Sequence, residues 1–164
     1  ERTDTGKAKM LISALNAYIS EHVHEDPQFY QLLQEQLKVI IKRFQERKGE
    51  AKVFVAELMK LREQILQQER EAEKLGLTKK QLPFFHFLKA QGIEQEESKG
   101  MVLDLERAIR EAWQRDWWLI EGVRRRMKAA IYRVLREHGI ERERAENWQN
   151  ELLNLAEQHY HRWD

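Results

Sequence analysis

The stretch LQEQLKVIIKRFQERKGEAKVFVAELMKLREQI, residues 33 to 65, decides the fold. Its apolar residues Leu33, Leu37, Ile40 and Phe44 are spaced four, three, four, and Phe54, Leu58, Leu61 and Ile65 repeat that spacing in mirror image about Gly49. A helix turns once in about 3.6 residues, so each set lies on one stripe, with the spacing of a coiled-coil seam. Gly49 separates the stripes, and the mirror symmetry predicts two helices folded back antiparallel. The same signature recurs about Gly139, where Met127, Ile131 and Val134 face Leu152, Trp148 and Ala145. Two hairpins of this kind predict an all-α chain, a bundle of about six to eight helices built from antiparallel helical hairpins.

Working outward, Ala8, Leu11, Ile12, Leu15, Ile19 and Val23 predict a first helix over 5–24 behind the capping candidates Asp4 and Thr5. Asp26 and Pro27 are a natural N-cap and first helical position, so a second helix starts there and runs to about residue 48. The third runs from about 50 to 74 and closes at Leu75-Gly76-Leu77, where glycine can take the left-handed conformation. Thr78 and Gln81 form a capping box for a short aromatic helix in LPFFHFLKAQ. The stretch IEQEESKG, 93–100, has no apolar period and reads as a linker. It would divide one helical domain, 1–164, into parts 1–92 and 100–164 joined near 93–99. Val102, Leu105, Ile109, Ala112 and Trp113 mark a fifth helix, 117–138 a sixth, and Ala145, Trp148, Leu152, Leu155 and His159 a seventh.

Composition agrees. The chain has 164 residues, enough for its own core, with 35% charged residues, seven glycines, two prolines and a formal charge of +1. It has no cysteine, which excludes disulfides, thiolate chemistry and cysteine-ligated zinc and fits a reducing compartment such as the cytoplasm. No apolar run reaches the roughly 18 to 20 residues of a membrane span, so no membrane partner is expected. The first residue is Glu rather than Met, as in a segment of a longer protein.

Chemistry is sparse. There is no GxxxxGK[ST] phosphate loop. His22 and His24 point about 200° apart on a helix and share no metal face, and His159 and His161 have the same defect. His86 sits among Phe84, Phe85 and Phe87 and reads as packing with its polar edge outward. Carboxylates such as Glu69, Glu71 and Glu73 are so frequent along solvated helix faces that no pair stands out for acid and base work. No catalytic, cofactor-binding or metal residue is assigned.

One local imbalance remains. Residues 122–136 hold Arg124, Arg125, Arg126, Lys128, Arg133 and Arg136 and no Asp or Glu, directly after Trp117 and Trp118. With Val123, Met127, Ala130, Ile131 and Val134 inward, Arg126, Arg133 and Arg136 lie toward one flank and Arg124 and Lys128 toward the other. Adjacent helical positions diverge by about 100°, so one tryptophan is expected buried and its neighbour partly exposed. Three readings stay open for these cations. They could pair with acidic residues such as Glu141, Glu143, Glu146 and Glu151, dock a protein partner, or contact nucleic-acid phosphates.

Longer phrases carry a resemblance. EHVHEDPQFY at 21–30, EKLGLTKKQLPFF at 73–85 and DWWLIEGVRRRMKAAIYRVLREHG at 116–139 resemble the helical C-terminal region of the restriction and translocation (R) subunit of type I restriction-modification enzymes. The resemblance spans nearly the whole chain and departs from the family pattern at 140–144, where Ile-Glu-Arg-Glu-Arg replaces a short Pro-rich extension. It implies a parent that is an ATP-dependent, DNA-translocating endonuclease, with ATP and magnesium bound by upstream nuclease and motor domains whose motifs are not in this chain. It further implies that this region is a non-catalytic interaction domain, packing on the motor domains and docking the R subunit onto the methyltransferase and specificity subunits. The alternative is a helical module that binds nucleic acid directly through 122–136. The near-neutral charge favours docking, since a dedicated DNA-binding domain is usually basic.

Overall fold

Asp26 does what its place before a proline suggests: its carboxylate accepts the Phe29 N–H at 3.2 Å, and Pro27 takes the first helical position. The computed structural model describes residues 3–163, and its seven α-helices are α1 Asp4–His22, α2 Pro27–Gln45, α3 Ala51–Leu75, α4 Leu82–Ala90, α5 Gln95–Ala112, α6 Glu121–Glu137 and α7 Arg142–His159. Among the described residues there is no strand. The chain divides between Gly76 and Leu77 into two compact units.

The first unit is a three-helix bundle in which α1 packs on both α2 and α3. Thr3 rather than Asp4 or Thr5 caps α1, its Oγ1 accepting the Gly6 N–H at 3.0 Å. This leaves Asp4 in the first turn, where a carboxylate suits the positive end of the helix dipole. The α2–α3 hairpin has the expected register. Phe44 meets Phe54 edge-on at 5.6 Å between ring centroids, Arg43 pairs with Glu57, and Gln64 donates to Gln36 further along. Leu33, Leu37, Ile40, Leu58, Leu61 and Ile65 are all buried, with Ala8, Leu15 and Ile19 of α1 completing the core.

The turn of that hairpin differs from expectation. α2 ends at Gln45 rather than near 48, because Arg47 takes the left-handed conformation at φ 56°. Lys48 N–H reaches Arg43 O at 2.9 Å and Arg47 N–H reaches Phe44 O at 3.1 Å, the paired bonds of a Schellman closure. Gly49 follows at φ 138°, and a Cβ there would lie 3.4 Å from the Phe54 ring.

In the second unit α6 packs against α5 on one side and α7 on the other, while α4 packs on α5 and α7. Thr78 and Gln81 form the expected reciprocal box: Thr78 N–H donates to Gln81 Oε1 at 2.9 Å, and Gln81 N–H donates to Thr78 Oγ1 at 3.2 Å. Residues 93–99 are not a linker. Glu94 caps α5 by accepting the Glu97 N–H at 3.0 Å, and Gln95 through Lys99 are its first turns. Ser98 is buried there and donates to Ile93 O at 3.3 Å. A small hydroxyl thus fills the inward position that the apolar period leaves blank, and Glu96 and Glu97 favour a helix start.

The sixth helix also departs from its expected span of 117–138. Asp116 is left-handed at φ 58°, Trp117–Leu119 form a 3-10 turn, Ile120 is extended, and α6 begins at Glu121. The α6–α7 turn closes as a Schellman motif on Gly139, φ 82°, with Ile140 N–H on Leu135 O at 3.0 Å.

Candidate functional site

The basic helix α6 buries Val123, Met127, Ala130, Ile131, Val134 and Leu135, and its inward stripe fixes where every cation goes. Arg126 and Arg133 line a groove against α5, whereas Arg124, Arg125 and Lys128 line a smaller notch against α7. The expected split of Arg126 and Arg133 from Arg124 and Lys128 therefore holds.

The α5–α6 groove encloses about 580 Å³. Its floor is Ala108, Ala112, Ala129, Ala130 and Val134, short side chains that leave room between the helices. Its rims mix charge, with Asp104, Arg107 and Glu111 on α5 and Arg126, Arg133 and Glu137 on α6. Asp104 is engaged, by Arg107 Nη1 at 3.2 Å and by His138 Nε2 at 2.7 Å. The notch beside α7 encloses about 250 Å³ and is lined by Glu121, Arg124, Arg125, Lys128, Asn150, Leu153 and Asn154.

Ion pairing accounts for one of these cations. Arg124 pairs with Glu157 of α7 at 3.4 Å, rather than with Glu141, Glu143, Glu146 or Glu151. Glu146 is taken by Arg142 of its own helix at 3.3 Å. Arg136, placed among the docking candidates, donates Nη1 to Ile140 O at 3.2 Å and secures the α6–α7 turn. Among the described residues, Arg125, Arg126, Lys128 and Arg133 make no ion pair or hydrogen bond.

The tryptophan pair separates as expected, but the buried member leaves the list of surface anchors. Trp117 is 0% exposed, and its Nε1 donates to Tyr160 O at 3.0 Å. Trp118 is half-buried, edge-on to Trp117 and to His161 at 6.2 and 5.7 Å between ring centroids. Two residues that sequence reasoning missed follow it: Leu119 is 73% exposed and Ile120 45%. Read as a continuous helix, they would share its amphipathic pattern; the 3-10 turn and the extended Ile120 turn them outward. The signal available was Leu-Ile directly after an aspartate and two tryptophans, too much apolar surface for one turn to bury.

Around Tyr160 lies a second cluster that sequence reasoning missed. Trp113 Nε1 donates to the same carbonyl as Trp117, at 2.7 Å, so two indoles converge on Tyr160 O. The Tyr160 hydroxyl donates to Glu106 Oε2 at 2.6 Å, and Gln81 Nε2 donates to Glu106 Oε1 at 3.0 Å. Burial, then the bond and the charge of Glu106, push the Tyr160 phenol well above its ordinary value of 10.0. Arg110 stacks over Trp163 at 4.9 Å, closing the cluster's outer side. Its contacts are those of a structural clasp.

Elsewhere, His22 pairs with Glu25 and stacks on Tyr18, and His86 is exposed against Phe85. Among the described residues no group of three or more His, Cys, Asp or Glu is placed to hold a metal ion, and no helix is long and apolar enough to cross a membrane.

Comparison with curated proteins and with solved structures returns no match. A family model does match, that of the type I restriction enzyme HindI endonuclease subunit-like C-terminal region, over residues 2–162. Both the sequence phrases and the all-helical architecture agree with that match, and the chain belongs to this family, the C-terminal domains of type I restriction enzyme endonuclease subunits.

Proposed function

We propose that this domain is a non-catalytic docking element, which joins the ATP-dependent, DNA-translocating endonuclease to the methyltransferase and specificity subunits of a cytoplasmic type I restriction complex. One observation carries the reading: Leu119 and Ile120 stand exposed beside half-buried Trp118, directly before the basic helix α6, whose Arg126 and Arg133 have no partner among the described residues. Exposed aliphatic side chains with an aromatic neighbour and arginines are the composition of an interface anchor. The alanine-lined α5–α6 groove, with Arg126 and Arg133 on its rim, offers room for side chains of a partner. Family membership supplies the partner class, since the C-terminal domain of such an endonuclease belongs to a multisubunit enzyme.

The test is assembly. The complete endonuclease polypeptide bearing Leu119→Asp and Ile120→Asp is titrated against the methyltransferase-specificity core. Because both side chains lie outside the core, helicity and melting should change little. Affinity should fall roughly 30-fold, the equivalent of about 2 kcal/mol for a hot-spot pair. A second variant, Arg126→Glu with Arg133→Glu, should weaken assembly and flatten its salt dependence, since the attraction that salt screens is gone. Unchanged affinity in both variants rejects this surface as the docking face.

A further inference from the structure

We propose that the notch between α6 and α7 binds the phosphodiester backbone of duplex DNA, through Arg125 and Lys128 with the amides of Asn150 and Asn154. The inference stands apart from the docking reading and uses the opposite flank of α6.

The two flanks differ in what they could recognise. The α5–α6 groove has a floor of alanines and rims of both signs. The α6–α7 notch has three cations, two side-chain amides, the single carboxylate of Glu121 and one apolar residue, Leu153, which is itself buried. With no exposed apolar side chain in its lining, the notch offers a greasy partner only the carbon stems of its arginines and lysine. At about 250 Å³ it is also too small to seat a helix. Compact and rich in donors, it suits a multi-oxygen anion.

The donors are arranged in two short rows. Arg125 and Lys128 stand three residues apart on α6, about 4.5 Å along its axis, and Asn150 and Asn154 four apart on α7, about 6 Å. Arg125 and Lys128 have no partner among the described residues, so both are available without breaking an existing pair. Arg124 is held by Glu157 at 3.4 Å and serves to brace the α6–α7 flank. Asn150 spends one donor on Glu146 O at 3.4 Å, which orients its amide and leaves its second hydrogen. Asparagine is a poor helix former, so two of them on the exposed face of α7 cost stability without packing in return. α6 also opens on Ile120, which has no side-chain group to cap the first amides, so the positive end of its dipole lies beside Glu121 at the mouth of the notch.

A guanidinium, an ammonium and two amides contacting one backbone stretch would read charge and spacing, not base sequence. The expected role is a weak, salt-sensitive hold on the DNA that the parent enzyme moves.

The experiment measures anisotropy of a labelled 20-base-pair duplex with the 164-residue chain between about 50 and 200 mM salt, with inorganic phosphate as the second probe. The native chain should bind, with affinity falling linearly on a log-log plot. Arg125→Gln with Lys128→Gln should weaken binding at least tenfold at low salt and reduce the slope by roughly two, one for each lost phosphate contact. Asn150→Asp with Asn154→Asp should weaken it as well, by placing carboxylates where amides stood. The control on the other flank, Arg126→Gln with Arg133→Gln, should change affinity less than threefold. Circular dichroism verifies that each variant is folded. The proposal fails if the duplex does not bind at low salt, or if both flanks contribute equally. It also fails if the notch variants alter only the binding of inorganic phosphate, which would make the notch a site for the free ion.

Discussion

In the α2–α3 hairpin of the first unit the residues that touch are mirrored about a single turn, as Phe44 and Phe54 or Arg43 and Glu57 are. In the second the closing contacts join residues far apart in the chain: Trp113 and Trp117 reach Tyr160 over 47 and 43 positions, and Glu106 reaches it over 54. That hairpin is held by an apolar seam whose members are interchangeable in kind. The second adds a polar clasp in which two N–H donors, one carbonyl, one phenol and one carboxylate must all be present. An apolar seam tolerates imprecise fit, whereas a buried polar set leaves an orphaned group when one member is lost.

This contrast can be broken most severely at Trp117. Trp117→Ala should cost about 3 to 5 kcal/mol in chemical denaturation, because it removes a fully buried indole at the centre of the clasp. Leu58→Ala, at an equally buried point of the seam, should cost about 2 to 5 kcal/mol. The sharper difference lies in rescue: Leu58→Met should restore most of the loss, while Trp117→Phe should restore less, since it refills part of the volume but returns no indole N–H and leaves Tyr160 O with Trp113 alone.

A second test is pH. The Tyr160 phenol titrates above its ordinary value of 10.0 in the folded chain, and near that value when unfolded. Below about pH 10 it is protonated in both states and its contribution is complete. Above that point the unfolded phenol ionises first, so stability must fall as pH rises through that range. Tyr160→Phe should be less stable at neutral pH and should lose less than the native chain between about pH 9 and 11. The difference between the two curves isolates the contribution of Tyr160. Equal slopes would remove the phenol from the clasp.

The smallest effect concerns the turns. Arg47 occupies at φ 56° the place that Gly139 fills at φ 82° in the other hairpin. A side chain in that region costs roughly 1 kcal/mol, so Arg47→Gly should raise stability by about that amount. Gly139→Ala should lower it by a similar amount, measured as opposite shifts in denaturation midpoint.

What the sequence made legible follows the same division. Wherever an element is fixed by neighbours in the chain, the residues announced it: Asp26 before Pro27, Thr78 with Gln81, the seam about Gly49, and the inward stripe of α6 that sorts its cations to two flanks. Local patterning was silent where a distant group decides the conformation. Ser98 is buried because α5 extends past its apolar period, and nothing in IEQEESKG marks a serine as inward. The helix expected from Trp117 breaks at Ile120, with Trp117 drawn under Tyr160 by a bond to a residue 43 positions on. That break is also what exposes Leu119 and Ile120, so the candidate docking corner was hidden by the same long-range contact. Arg136 was placed correctly on the helix surface but already serves the turn, through a carbonyl whose position only the closed hairpin defines.

The carbonyl of Tyr160 has a further consequence, for the order of events as the chain is made. Synthesis delivers residues from the N-terminus onward, and domains generally fold as they emerge. The first unit has all its core residues once residue 76 is out, and can close while the rest is still being translated. The second cannot, because the acceptor for both indoles is the backbone of residue 160. Until it arrives, Trp113 and Trp117 are two large unsatisfied side chains on a nascent α5–α6 pair. That interval is when a chaperone or a partner protein would meet this surface first.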